Sequence, residues 1–140
     1  MSTNLELINR ALREINVIAE NENASSEQGS QCLVKLNNML ALWKENGIDF
    51  GWFNQSSTSG TAPVPDYAEL AVVSSLAIIC APQYGATVSL ELAGVADRSY
   101  RMLLSKSQRE ALDNVDMNHM PVGSGKYSSD GKFYDINTDS

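Results

Sequence analysis

The sequence predicts an all-α fold: a small bundle of about four helices, with an extended loop or hairpin between the second and third and a flexible C-terminal tail. Three observations predict it. Leu, Ile, Met and Trp recur at helical spacing in successive windows. Three of those windows open on a capping-box pair, Ser, Thr or Asp followed three residues later by Glu or Gln. In the most apolar part of the chain, Ala81-Pro82-Gln83-Tyr84-Gly85 separates two helical windows, with no charged residue from Leu70 to Leu90. Pro82 lacks an N–H and clashes with the carbonyl four residues back, so a helix reaching it stops or kinks. Gly85 allows a backbone conformation that a Cβ penalises.

A chain of 140 residues suits one domain built on one core. The apolar period divides it into a helical domain, residues 1–112, and an extended tail, residues 113–140. Hydrophobic residues make up 43%, which excludes wholesale disorder. A net charge of -7 excludes a protein that coats nucleic-acid phosphates over its whole surface. Cys32 and Cys80 both fall on apolar helical faces and read as buried thiols in a reducing compartment. Met1-Ser2-Thr3-Asn4 leads straight into an amphipathic pattern, not a signal peptide. No strictly apolar run reaches the ~20 residues a bilayer needs.

The first helix starts at Thr3, with Glu6 completing its capping box and Leu5, Ile8, Leu12 and Ile15 forming its stripe. A polar loop, Glu20 to Asn23, follows. The second helix starts from Ser25 and Gln28. Its Cys32, Leu33, Leu36, Met39, Leu40 and Trp43 fall within an arc of roughly 120° at 100° per residue, and Asn46-Gly47 stops it. Ile48 to Pro65 breaks the period: Phe50, Trp52 and Phe53 before a Ser/Gly-rich turn predict a strand and a long loop or hairpin. The third helix opens at Asp66, with Glu69 completing a third capping box. It is apolar all round, so it must be buried on every side. In a domain this small, that predicts cover from tightly wrapped helices or from a neighbouring subunit, with Val72, Val73, Leu76 and Ile79 as the packing residues.

The fourth helix runs from about Ser89 to Leu112, with Val88, Leu92, Ala96, Ser99 and Leu103 on its core face. Arg98, Arg101, Lys106 and Arg109 share a neighbouring arc. This is the only segment with positive net charge. It reads either as a solvated surface with cations near the C-terminal end of the dipole or as a charged contact strip for an acidic partner. The tail is glycine- and serine-rich yet carries Tyr127, Phe133 and Tyr134, which predicts a segment that orders on docking to a partner.

No catalytic chemistry is legible. The one histidine, His119, has no Cys or second His at metal spacing. Gly123-Ser124-Gly125 lacks the spacing and flanking elements of a phosphate loop. Carboxylates such as Glu14, Glu27, Glu69 and Glu91 occupy capping or surface positions, with no sign of a pair set across a cleft for glycan cleavage. The expectation is a protein with no catalytic residues, metal or cofactor.

Three stretches, in order, carry a family resemblance. The run Leu36-Asn37-Asn38-Met39-Leu40-Ala41-Leu42-Trp43-Lys44-Glu45-Asn46-Gly47-Ile48 is similar to a Leu/Met-rich run into Trp and Gly-Ile. The joint Ile79-Cys80-Ala81-Pro82-Gln83-Tyr84-Gly85 resembles an Ala-Pro-acidic-aromatic segment, with Gln83 where a carboxylate is common. Met120-Pro121-Val122-Gly123-Ser124-Gly125 resembles a Met-Pro-x-Gly-Ser-Gly motif, beyond which this tail is short. Together they resemble the head-to-tail adaptors of short-tailed phages, the tail accessory factors or packaged-DNA stabilisation proteins.

The resemblance implies a virion protein of the neck between head and tail, present in the host cytoplasm during assembly. It implies a ring, a dodecamer, that joins the portal protein after DNA packaging. Such a ring extends the channel through which DNA passes without sequence-specific binding, helps retain the genome, and offers a platform to a downstream tail or nozzle protein. On that reading Met120 to Gly125 with Tyr127, Phe133 and Tyr134 carry portal contact. Arg98, Arg101, Lys106 and Arg109 add a charged strip, and Phe50, Trp52 and Phe53 belong to a loop for the tail side or a neighbour. The competing readings are a non-viral helical adaptor or assembly chaperone, which keeps the helices and loses the ring, and, third, a peptidoglycan hydrolase.

Overall fold

The computed structural model describes residues 1–113. Contacts divide the chain after Arg109, so the fold given is that of Met1–Arg109, and residues 110–113 continue its last helix. It is all-α: α1 (Asn4–Glu14), α2 (Ser26–Glu45), α3 (Glu69–Cys80) and α4 (Leu90–Asp113), with no strand among the described residues.

Both N-terminal capping boxes form. The Thr3 hydroxyl accepts from the Glu6 amide at 3.1 Å, and the Glu6 carboxylate accepts from the Thr3 amide at 2.8 Å. Ser25 and Gln28 do the same for α2 at 3.1 and 3.0 Å. Each box satisfies two donors that a helix start would otherwise leave open. α1 buries more than the expected stripe: Leu7 and Ala11 join Ile8 and Leu12, while Leu5 is only half-buried. On α2 the six residues of the expected arc are all buried.

The segment between α2 and α3 is not a hairpin. Its pairing is with the start of α1: an isolated bridge joins Thr3 and Thr61. The amides of Asn4 and Leu5 donate to the carbonyls of Gly60 and Thr58 at 2.9 and 2.8 Å, and the Ala62 amide donates to the Ser2 carbonyl at 3.0 Å. Ile48, Trp52, Ala62 and Val64 turn inward and are buried. Residues 48–65 therefore form a strap whose apolar side chains complete the core and whose backbone holds the first turn of α1.

The third capping box does not form. Asp66–Ala68 is a single 3₁₀ turn without a side-chain cap, and α3 begins at Glu69. The Glu69 carboxylate instead accepts from the Arg10 guanidinium at 2.8 Å and from the Ser2 amide at 3.3 Å. Burial pushes its pKa up, but these donors outweigh burial and hold it below the usual carboxylate value. The motif misleads because a closer set of donors, sixty residues back in sequence, competes for the same oxygens.

α3 packs against both α1 and α2, and Ala11, Ala71 and Ala77 are buried. The stretch Asp66–Tyr84 is long and apolar enough to cross a membrane by length and composition, and half of it is buried inside the protein. That is the profile of a core helix. The proline joint follows as a 3₁₀ turn, Ala81–Tyr84, and Gly85 closes it at φ 65° and ψ 25°. α4 is capped by Ser89, whose hydroxyl accepts from the Leu92 amide at 3.1 Å. Its Leu92, Ala96 and Leu103 are buried. Tyr100 meets the edge of the Trp43 ring at 5.2 Å between centroids, and its hydroxyl accepts from the Asn46 side-chain amide at 2.9 Å.

Candidate interaction surface

Three of the four residues expected to pack subunits against one another lie inside this chain's own core. Val72, Val73 and Leu76 are between 0 and 4% exposed. A side chain with no free surface offers nothing to a neighbour, so the expectation narrows to Ile79, 39% exposed. α1 and α2 pack on α3, which is the first of the two kinds of cover that the sequence predicted, tightly wrapped helices or a neighbouring subunit.

The strap divides its three aromatics. Trp52 is buried, Phe50 is half-buried, and Phe53 is 64% exposed. Only Phe53 is free to act as a contact. A polar network fixes the backbone beside it: the Asn37 side-chain amide donates to the Gln55 carbonyl, and the Gln55 amide donates back to the Asn37 side-chain oxygen, both at 2.9 Å. An anchored loop with an outward aromatic loses little entropy on binding.

The basic residues of α4 are not four equivalent free charges. Arg101 pairs with Asp97 one turn earlier at 3.1 Å. Lys106 sits 4.8 Å above the centre of the Tyr67 ring, a cation–π contact that also ties α4 to the start of α3. The Arg98 guanidinium folds back over Gly94, within 3.1 Å of where a Cβ would stand. Arg98 and Arg109 are exposed. The residues expected to carry portal contact, Met120 to Gly125, Tyr127, Phe133 and Tyr134, lie outside the described residues, as does His119.

Exposed apolar side chains are the main surface feature that the sequence reading missed. Val34 and Leu42 project from α2, Leu70 from α3 and Met102 from α4, each more than half exposed. The signal was present: Val34 and Leu42 lie outside the 120° arc of α2, where an apolar residue has no core to meet. Scattered singly, such side chains are ordinary on a protein surface and do not by themselves mark a contact. A cleft of about 440 Å³ is lined by residues that include Arg10, Arg13, Glu20, Leu70 and Val73. Among the described residues no group of three His, Cys, Asp or Glu is placed to hold a metal ion.

Residues 1–137 match the family described as P22 tail accessory factor. The chain belongs to that family. A search of curated proteins returned no match. As a tail accessory factor, the chain has a tail-associated role in a phage particle and associates with head or tail components.

Proposed function

We propose that this tail accessory factor is a head-to-tail adaptor that assembles as a ring, a dodecamer, beneath the portal once DNA is packaged. It lengthens the DNA channel, helps to retain the genome, and gives the downstream tail or nozzle protein a surface to bind. The work is structural, not enzymatic. The observation that carries this reading is the span of the family match, which takes in both the helical domain and the tail to residue 137. Within that span the residues 36–48, 79–85 and 120–125 occur in the order expected of an adaptor.

In this reading residues 1–112 form the ring and residues 113–140 reach the portal. Ile79, Leu70 and Phe53 are the apolar contacts available to a neighbouring copy or to the tail side. Each ring contact is heterologous, one surface against a different one, and closes by rotation. Arg98 and Arg109 add charge complementarity at the portal or an adjacent copy. The net charge of -7 suits a conduit, because carboxylates facing a channel repel DNA and keep it from sticking.

The test is solution mass with and without purified portal rings. The expected result is a monomer alone that becomes a ring in stoichiometric complex on the portal. A chain ending at Asp113 should stay folded by circular dichroism and fail to bind. A full-length chain that remains monomeric and does not co-sediment with portal rings would overturn the adaptor reading.

A further inference from the structure

The sulfur atoms of Cys32 on α2 and Cys80 at the end of α3 are 3.6 Å apart, with the Cys80 thiol donating to Cys32. Both side chains are fully buried and neither is in a disulfide. The Tyr84 hydroxyl lies 3.7 Å from the Cys32 sulfur and donates to the Gln31 side-chain oxygen at 3.2 Å. The same Gln31 oxygen accepts from the Gln83 side-chain amide at 2.6 Å. We propose that Cys32 and Cys80 are an oxidative modification site: hydrogen peroxide converts them to one reversible intramolecular disulfide that clasps α2 to α3.

Two unbranched side chains in mutual contact need to close only about 1.5 Å to reach S–S bonding distance. The joint supplies the access. Tyr84 is half-buried, and Pro82, Gln83 and Gly85 around it are exposed. On this proposal, peroxide reaches Cys32 when Tyr84, which touches its sulfur, lifts from Gln31. Chemistry selects the attacking sulfur. The hydrogen bond from Cys80 lowers the pKa of Cys32, outweighing burial, with help from the positive charge of Lys35 on the same helix. Cys80, which donates that hydrogen bond and is buried beside the other sulfur, is held up. Burial also keeps Tyr84 in its neutral form.

The Cys32 thiolate attacks one peroxide oxygen; the S–O bond forms, the O–O bond breaks, and hydroxide leaves and takes a proton to become water. The Cys80 sulfur then attacks the Cys32 sulfenic acid. The S–S bond forms, the S–O bond breaks, and the departing hydroxide takes the Cys80 proton as a second water. Two electrons pass from the sulfurs to peroxide. A virion-associated protein meets this chemistry on leaving the reducing interior of the cell. This inference does not depend on portal binding.

The test uses the folded full-length chain. It is treated with hydrogen peroxide, its remaining thiols are alkylated, and its peptides are mapped without reduction. The expected result is a single linked pair of peptides containing Cys32 and Cys80, no dimer on a non-reducing gel, and reversal by dithiothreitol. The urea midpoint of the oxidised chain rises and returns on reduction. In Cys80→Ser, whose hydroxyl keeps a donor for Cys32, the same treatment leaves a dimedone-reactive sulfenic acid at Cys32 and no rise in midpoint. The proposal is overturned if both thiols of the unmodified chain still alkylate after peroxide. Products that are only intermolecular, or sulfinic acid at Cys32 without a crosslink, overturn it equally. The peptide map of the unsubstituted chain decides even if Cys80→Ser does not fold.

Discussion

Asn4 and Gln55 stand 51 residues apart in the chain, and the Asn4 side-chain amide donates to the Gln55 side-chain oxygen at 3.0 Å inside the core. The same amide donates to the Ser57 carbonyl at 2.9 Å. Two acceptors fix which end of the Asn4 amide carries nitrogen, since a flipped oxygen would face both of them. Gln55 completes the set by donating to the Phe53 carbonyl at 3.0 Å. This buried polar chain is what locks the strap to α1.

Asn4→Ala should therefore destabilise the domain by about 2–3 kcal/mol, because it strands buried polar atoms of the strap without partners. Urea denaturation gives the loss. Hydrogen exchange should show protection falling first at residues 53–60; uniform loss across the helices would mean that the strap is not a separate element.

Glu69 makes stability depend on pH. Its pKa is lowered in the folded chain, so its contribution is fully present above the unfolded value of about 4.3 and is lost as pH falls through the folded value. Glu69→Gln should cost about 1 kcal/mol near neutral pH and flatten the acid limb of the stability curve. Denaturation midpoints between pH 7 and pH 3 check this; an acid limb equally steep in the variant would place the dependence elsewhere.

Tyr100 decides whether α4 stays seated. Tyr100→Ala removes the ring contact with Trp43 and should cost about 2 kcal/mol. Tyr100→Phe loses only the bond from Asn46, for about 0.5–1 kcal/mol. Trp43 fluorescence should shift to the red in the first variant and stay close to native in the second.

Gly85 turns the chain out of the proline joint in the left-handed region, φ 65°. Nothing lies within 4 Å of where its Cβ would be, so the cost of Gly85→Ala is backbone strain alone, about 1–2 kcal/mol. Gly85→Asn should cost less, because Asn tolerates that region. Equal thermal shifts for the two variants would point to a steric cause instead.

The outward apolar residues should separate folding from assembly. Phe53→Asp leaves stability within about 0.5 kcal/mol, and Ile79→Asp, at a residue 39% exposed, costs about 1–2 kcal/mol, while each lowers the mass bound to portal rings. A normal complex from both variants would remove these side chains from the contact.

What the sequence disclosed follows from which interactions are local. The Thr3–Glu6 and Ser25–Gln28 boxes span three residues, so their chemistry is complete within one turn, and both form. The arc from Cys32 to Trp43 is likewise a property of one helix. Asn4 gave no signal, because a polar residue inside a core interrupts the very period by which a core is found. Asp66 and Glu69 gave a false one, since the spacing of a capping box says nothing of Arg10 and Ser2 arriving from elsewhere. Val72, Val73 and Leu76 were legible as buried but not as buried by what. Cys32 and Cys80 each read as core, and only the packing of α2 on α3 brings the two sulfurs together.

The pairing of residues 2–5 with residues 58–62 also sets a timetable. On a translating ribosome the first helix is made long before the strap that holds its first turn. At roughly 5–20 residues per second, the wait from residue 5 to residue 62 is about 3–11 s. During that time the apolar stripe of α1 has no strap over it and no α3 to pack on. α1 thus settles only after residues some fifty positions further along have been made, and slow codons between positions 15 and 58 would lengthen the period in which α1 is available to chaperones or to other nascent chains.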